Sequence, residues 1–456
     1  MCNFIKIQVQ RLKVVTLILI CAVCSINALN AQEFTIESPN GSSLRIQKTI
    51  IRNLSETHDI VYKTDGSTHL FCLVDSTTTI EARMPFTGVE INDFEILDSQ
   101  YVFFCGNDGS GFGLIGYFDL VDVFSSTAPT VYYQYTTMTF NFNYTITNLK
   151  RLEVYSDPGN YVHVVMVGDC YCEIGDHKNY CVVDMHTKVI VPYQSWDIEL
   201  MAYQKNLERF DDIAVGKTYV ATSGVLAGFG DINSIRFYDK PVSNSTNLFS
   251  TMLYQTTYYS NYKPLQPVAI EHCEQDYFVT ASVFDDGGNA KTILTEYAGM
   301  ALNSQYSIKS TPDKPVSLIK DMAYHPSSQN LYFLQDFHTS GSDKSLVFNL
   351  DPLSTVYLTA DHVIPSNIDV LNSLDANASY PNKAESSGVM STGETRIYHR
   401  DVLSTTPCSS TGSYTLDNVR YPLNSYNVNY DTPNNPFVMY PYSVTVIPYS
   451  NTTECQ

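Results

Sequence analysis

The chain has 456 residues, 44% of them hydrophobic and 16% charged, with 34 Tyr and 22 Phe against a single Trp. Its 47 Asp and Glu outnumber 27 Lys and Arg, a formal charge of −20, so phosphate backbones and anionic lipid surfaces would be repelled. Nucleic acid is thereby excluded as a partner, and no segment after the N-terminus is apolar enough to predict a transmembrane span.

The N-terminus reads as an export signal. Lys6, Arg11 and Lys13 form a basic head, Val14 to Val23 an apolar stretch, and Asn27-Ala28-Leu29-Asn30-Ala31 a short exit ending in a small residue. A membrane anchor would need roughly 20 apolar residues, about twice this run. Residues 1–31 are therefore predicted to be a signal peptide and residues 32–456 the mature chain, secreted or otherwise extracytoplasmic, in the periplasm or at the cell surface. Cleavage removes three basic and no acidic side chains, leaving 24 against 47 and a charge of −23. The oligomeric state is not legible in the sequence.

Next comes a repeat. The short apolar runs beginning at Tyr101, Tyr161, Tyr219, Tyr277 and around Tyr332 place their tyrosines 60, 58, 58 and 55 residues apart. A near-constant period of this size marks units that cannot bury their own apolar faces and must stack on one another. Within a unit, period-2 alternation and Tyr, Phe, Val, Ile and Thr between Asn/Gly/Asp/Ser turns predict short strands. The unit around Tyr219 divides into four: Asp212 to Val215, Thr218 to Ser223, Ser234 to Tyr238 and Ser250 to Thr256. An earlier unit divides likewise into Phe94 to Leu97, Tyr101 to Cys105, Leu114 to Phe118 and Thr130 to Tyr135. Four antiparallel strands per unit predict an all-β fold, a single β-propeller domain of four-stranded blades, seven by preference and six as the alternative. The recurring tyrosine is expected to fill the gap between adjacent blades.

The ends of the repeat are less regular. His69 to Val74 and Thr78 to Arg83 form a hairpin that reads as an incomplete first blade. The irregular segment 402–456 is expected to close the ring, with Phe437 to Tyr440 and Ser443 to Ile447 completing that blade. Gly388-Val389-Met390 and Thr395-Arg396-Ile397-Tyr398 suggest a further unit.

The repeat resembles that of secreted β-propellers of the YVTN type. The residues that carry the likeness are Tyr219-Val220-Ala221-Thr222-Ser223-Gly224 followed by Ile235-Arg236-Phe237-Tyr238-Asp239, and Tyr101-Val102 followed by Ile115-Gly116-Tyr117-Phe118-Asp119. It covers roughly residues 90 to 355. The resemblance implies a propeller that presents loops for binding, and it transfers no catalytic residue.

Eight cysteines remain after cleavage, an even number that suits disulfides in an oxidising compartment. Cys172 and Cys181 flank a loop between two strand-like runs and are expected to staple that hairpin, while Cys408 and Cys455 can tie the tail to the body. Cys170, Cys172, His177 and Cys181 also have the residue types of a zinc site. Acidic turns recur at Asn107 to Gly111, Asp211-Asp212 and Asp285 to Asn289; they offer oxygens to calcium, the one cofactor kept open, but Asp and Gly are equally what tight turns need. His163, His272 and His325 fall in or beside predicted strands and are read as structural.

No nucleophile elbow, zinc-protease helix or phosphate loop is present, and no catalytic or cofactor-binding residue is assigned. Rings and amides concentrate at Tyr132 to Tyr135, Tyr254 to Tyr262 and Tyr421 to Tyr449, a composition that stacks and hydrogen-bonds well. The chain therefore reads as a binding or scaffold protein presenting propeller loops to a glycan, peptide or protein. Its alternatives are an extracellular hydrolase or lyase with a site at the central channel and a subunit of an envelope assembly.

Overall fold

A computed structural model describes the strands between Glu33 and Cys455 and some of the turns joining them; residues 1–32, the expected signal peptide among them, and the remaining connections lie outside the described residues. Among the described residues there are 34 strands, and every pairing between them is antiparallel. No helix among them is long and apolar enough to cross a membrane.

The N-terminal strand β1 (Glu33–Ile36) stands apart from its successors. After it, the strands fall into hairpin-connected sets. The first sheet is β2 (Arg45–Ile51), β3 (Asp59–Thr64), β4 (His69–Val74) and β5 (Thr78–Met84); the second is β6 (Glu90–Leu97), β7 (Tyr101–Asn107), β8 (Gly113–Asp119) and β9 (Thr130–Thr136). The third is β10 (Tyr144–Ser156), β11 (Val162–Cys172), β12 (His177–Thr187) and β13 (Ser195–Lys205); the fourth is β14 (Glu208–Val215), β15 (Tyr219–Leu226), β16 (Ile232–Asp239) and β17 (Thr251–Thr256). The fifth is β18 (Tyr262–Glu274), β19 (Tyr277–Asp286), β20 (Asn289–Ala298) and β21 (Ala301–Ile308). The sixth is β22 (Lys314–His325), β23 (Asn330–Thr339), β24 (Ser342–Leu350) and β25 (Thr359–Pro365). The seventh has three consecutive strands, β26 (Val370–Ala376), β27 (Lys383–Val389) and β28 (Thr395–Asp401), and takes β1 as its fourth.

The alternation of side chains explains why these sheets stack. In β7, Val102 and Phe104 point into a cluster with Tyr62 and Phe71 of the first sheet, whereas Phe103 and Cys105 point into one with Val164 and Met166 of the third. Strand β11 repeats the device: Val164 and Met166 face the second sheet, Val165 and Val167 the fourth. In β23, Leu331 and Phe333 face the fifth sheet, Tyr332 and Leu334 the seventh. A strand buried on both faces reads as a nearly continuous apolar run. Each fully buried Phe or Val contributes about 1.5–3 kcal/mol. Rings add geometry to area: Phe71 meets Phe94 at 5.4 Å and 86° and Phe118 at 5.0 Å and 67°, both edge-to-face. The first strands form the inner edges. β2 lies against β6, β6 against β10, and so on through β14, β18, β22 and β26, and β26 in turn lies against β2.

The C-terminal segment departs from expectation. Ser443 to Ile447 does join the first sheet, through residues 445–447, but as a fifth, outer strand, because residues 45–64 already supply that sheet's first two strands; Phe437 to Tyr440 goes to other sheets. The tail instead adds an outer strand to one sheet after another. β29 (Ser409–Asn418) pairs with both β25 and β21, β30 (Leu423–Asn427) with β17, and β31 (Phe437–Val438) with β13. β32 (Tyr440–Ser443) pairs with β9, β33 (Thr445–Ser450) with β5, and β34 (Thr452–Cys455) with β1. The tail thus visits the sheets in reverse chain order, from the sixth to the first and then the seventh. Each outer edge, which would otherwise offer unpaired N–H and C=O groups to another chain, is covered by the protein's own backbone.

Candidate functional site at the inner edges of the sheets

The inner strands carry a recurring irregularity. Register shifts occur between Ile91 and Asp93 in β6, between Phe210 and Asp212 in β14, and between Ile319 and Asp321 in β22. An extra residue at such a bulge re-aims a side chain out of the ladder. Each of the three aspartates uses that freedom to accept a backbone N–H from the next sheet: Asp93 Oδ2 from Leu152 at 3.0 Å, Asp212 Oδ2 from Ile270 at 3.0 Å, and Asp321 Oδ2 from Leu374 at 2.8 Å. Neighbouring donors complete the staple, with Asn92 Nδ2 donating to Leu149 O at 2.7 Å and Lys320 Nζ to Leu371 O at 2.8 Å. A hydrogen bond to a charged acceptor is worth about 1.5–3 kcal/mol, so these bonds set the sheet-to-sheet register.

Between the inner strands lies a cavity of about 70 Å³, lined from six sheets by Lys48, Asp93, Glu95, Arg151, Glu153, Asp212, Glu271, Lys320 and Asp321 among others. Lys48 Nζ bridges Asp93 Oδ1 at 2.8 Å and Glu95 Oε1 at 2.5 Å. Arg151 spans Asp93 at 3.7 Å and Asp212 at 3.8 Å, Lys320 pairs with Asp336 at 2.7 Å, and Arg209 pairs with Asp211. Burial would lower the Lys48 pKa, but Asp93 and Glu95 outweigh it and hold the ammonium charged. The carboxyls move the other way. Burial pushes Glu95 up to about 7 against the pull of Lys48, and Asp212 up to about 6 against Arg151 and two backbone donors. Burial and then nearby carboxylates push Glu153 and Glu271 well up, because charges of one sign crowd a buried space.

Glu95 and Asp212 bind protons more tightly in the folded chain than at their ordinary values of 4.5 and 3.8. A raised carboxyl pKa contributes stability that is complete below the ordinary value and is lost as pH rises through the folded one. The urea midpoint should therefore fall between pH 4 and about 7, and Glu95→Gln should flatten the upper part of that fall. A midpoint constant across this range in the parent protein would contradict the assignment.

The arrangement can share protons among carboxyls, or hold one ion or a few waters. Asp212 belongs to this site on β14 and not to a turn, which corrects the reading of Asp211-Asp212 as a strand connection. The Asn107 to Gly111 turn does what turn chemistry predicts: Asp108 Oδ1 accepts Ser110 N at 2.8 Å and Phe112 N at 2.9 Å, and Gly109 has φ 68°. Asp285 and Asp286 end β19, opposite Ala290 and Asn289.

The expected Cys172–Cys181 bridge is not formed. In the β11–β12 pair Cys172 faces His177 and Cys181 faces Gly168, four positions along, roughly 13 Å at strand rise and beyond disulfide reach. Cys181 is a buried free thiol whose Sγ donates to Gly168 O at 3.7 Å. Cys170 and Cys181 pack in the apolar cluster between the second and third sheets; the side chains of Cys172 and His177, the other members of the suggested zinc set, lie outside the described residues. Cys408 lies outside the described residues; Cys455 ends β34 opposite Glu33.

The repeating tyrosines sit where the first strand turns into the second. Tyr101, Tyr219 and Tyr277 open β7, β15 and β19, and Tyr161 directly precedes β11. Residues with positive φ precede three of these positions: Ser99 at 55°, Asn160 at 61° and Gln275 at 53°. Tyr101, Tyr219 and Tyr277 pack against clusters shared with the following sheet. Tyr277 also donates to Glu296 Oε2 at 3.0 Å. Of the strand histidines, His272 Nε2 meets Gln275 O at 2.7 Å and His325 Nδ1 accepts Ser328 N at 3.1 Å, both structural; His163 lies in a separate buried cluster.

No family model matches this chain, and no curated protein matches it. Among solved structures, a similar chain is a polysaccharide lyase, an ulvan lyase: 9% identity, 82% of this chain and 95% of that chain covered, TM-score 0.36. The class defined here is an all-β protein of antiparallel sheets with propeller-like stacking.

Proposed function

We propose that the seven sheets are the blades of a closed seven-bladed propeller and that the protein is an extracytoplasmic binding or scaffold protein, taking a glycan, peptide or protein on its loop faces. The contact of β26 with β2 supports closure, because it leaves none of the seven inner strands at an end of the series. One observation favours binding over catalysis in the channel: the charges there are spent on ion pairs and inter-sheet staples, Lys48 with Asp93 and Glu95, and Asp93 with Leu152 N. The hydrolase or lyase alternative would use the cavity between the inner strands; Glu95, pushed up to about 7 by burial, is the group there suited to acid–base work.

Glycan and protein arrays probed with the purified chain test the reading. Saturable binding to one ligand class, without turnover in glycosidase, lyase, esterase and lactonase screens, is the expected result. Silence on both arrays together with turnover abolished by Glu95→Gln would favour the enzyme.

A further inference from the structure

A second cluster of ligand-type side chains lies away from the inner edges, inside the third sheet. Asp184 and His186 are two residues apart on β12 and so share a face, and His163 on β11 stands directly opposite His186 in the register. All three are 1–2% exposed. His163 Nδ1 lies 3.2 and 3.1 Å from the two Asp184 oxygens, and His186 Nδ1 lies 3.1 Å from Asp184 Oδ2. Their ligand atoms all fall within 4.8 Å of one another. The Tyr155 ring stacks on His163 at 4.9 Å and 8°, and its hydroxyl donates to Pro241 O at 2.9 Å beyond the fourth sheet. The cluster is thus tied to the seam between two sheets.

The buried Nε2 of His163 makes no hydrogen bond and faces Asp157 Oδ2 at 3.7 Å, a repulsive contact where that nitrogen is bare and an attractive one where it carries a proton. Asp157 cannot swing away freely, because its Oδ1 accepts Tyr161 N at 2.7 Å. A cation on the Nδ1 side makes the contact attractive. Both rings then carry their proton on Nε2, that of His163 points at Asp157, and the result is a carboxylate–histidine–metal arrangement. A dication also balances the buried charges of Asp157 and Asp184. The spacing suits it: donors around a metal bound at 2.0–2.2 Å sit roughly 3.3 Å apart. Two imidazoles and one carboxylate suit zinc and its first-row neighbours and disfavour calcium or magnesium, which take oxygen.

We propose that His163, Asp184 and His186 bind a zinc-class divalent ion that ties β11 to β12 within the third sheet. The proposal is independent of what the loops bind. The test is to refold the full chain from denaturant into metal-free buffer, into buffer with zinc, and into buffer with calcium, and then to measure metal content and the thermal midpoint. The expected result is close to one zinc per chain, a midpoint several degrees higher with zinc than with calcium or no metal, and loss of both effects in Asp184→Asn and His163→Phe, the latter keeping the ring stack on Tyr155. Cobalt in place of zinc should give visible absorption bands that vanish in the same variants. Metal-free protein with one midpoint in all three buffers would overturn the proposal, as would zinc retained in full by a folded Asp184→Asn chain.

Discussion

Deletion of residues 409–456 is expected to leave no stable monomer. That segment supplies β29 to β34, which add an outer strand to the sheets one after another. β29 pairs with β25 from Thr359↔Thr415 to Pro365↔Ser409, and β33 pairs with β5 along all six of its residues from Thr445 to Ser450. Each backbone hydrogen bond contributes about 0.5–1.5 kcal/mol net. The total lost is on the order of 10 kcal/mol, comparable with the whole stability of a typical domain. The exposed edges would then recruit one another, so the truncated chain should aggregate. Shorter deletions should be graded: stopping after Ser450 removes β34 alone and should shift the urea midpoint modestly, whereas stopping after Asn427 removes four strands and should shift it much further. A chain ending at residue 408 that elutes as a monomer with the parent midpoint would show the tail to be ornament.

The second large effect is expected at Asp93. Its side chain is 3% exposed and receives Lys48 Nζ at 2.8 Å, Leu152 N at 3.0 Å and Arg151 at 3.7 Å. Asp93→Ala strips three donors at once, leaving a buried N–H without its acceptor and two cations that share one partner fewer. Breaking a buried ion pair from one side costs about 3–5 kcal/mol, the range expected in urea unfolding. Asp93→Asn keeps an acceptor for Leu152 and should cost less. The effect should shrink in a Lys48→Met background, because part of it is the cost of stranding that ammonium. A loss below about 1 kcal/mol for Asp93→Ala would mean that the inter-sheet staple is not holding the inner strands in register.

How much of this was readable beforehand depended on how local the cause was. Strand positions were legible because period-2 alternation and turn residues act over a few positions. The predicted strands around Tyr219 and Tyr101 fall within β14 to β17 and β6 to β9 to within a residue or two at most ends. Stacking of the units was legible too, since β7 carries Val102, Phe103, Phe104 and Cys105 with no polar residue between them, and such a strand must be covered on both sides. The bulged aspartates escaped notice. Asp93, Asp212 and Asp321 lie 119 and 109 residues apart, about two repeats each, but a carboxylate at a strand centre looks like an exposed polar face until the bulge turns it toward the next sheet. The signal for the metal-type cluster was the Asp184-Met185-His186 alternation, which places two ligand types on one face; its partner His163 is 21 residues away from Asp184 and meets it through the hairpin register.

By itself the sequence determined the strands, their period and the need for sheets to bury both faces of their middle strands, because these follow from side-chain alternation along a few residues. Tertiary structure alone decided which strand closes the seventh sheet, that the tail adds outer strands in reverse order, and which charges meet between the first strands of the sheets. Those choices join residues tens to hundreds of positions apart, such as Glu33 with Tyr398 and Cys455. Backbone pairing of that kind is indifferent to side-chain identity, so nothing in the local pattern records the partner. Cys181 illustrates the same point, since four positions of register separate it from the cysteine it was expected to join.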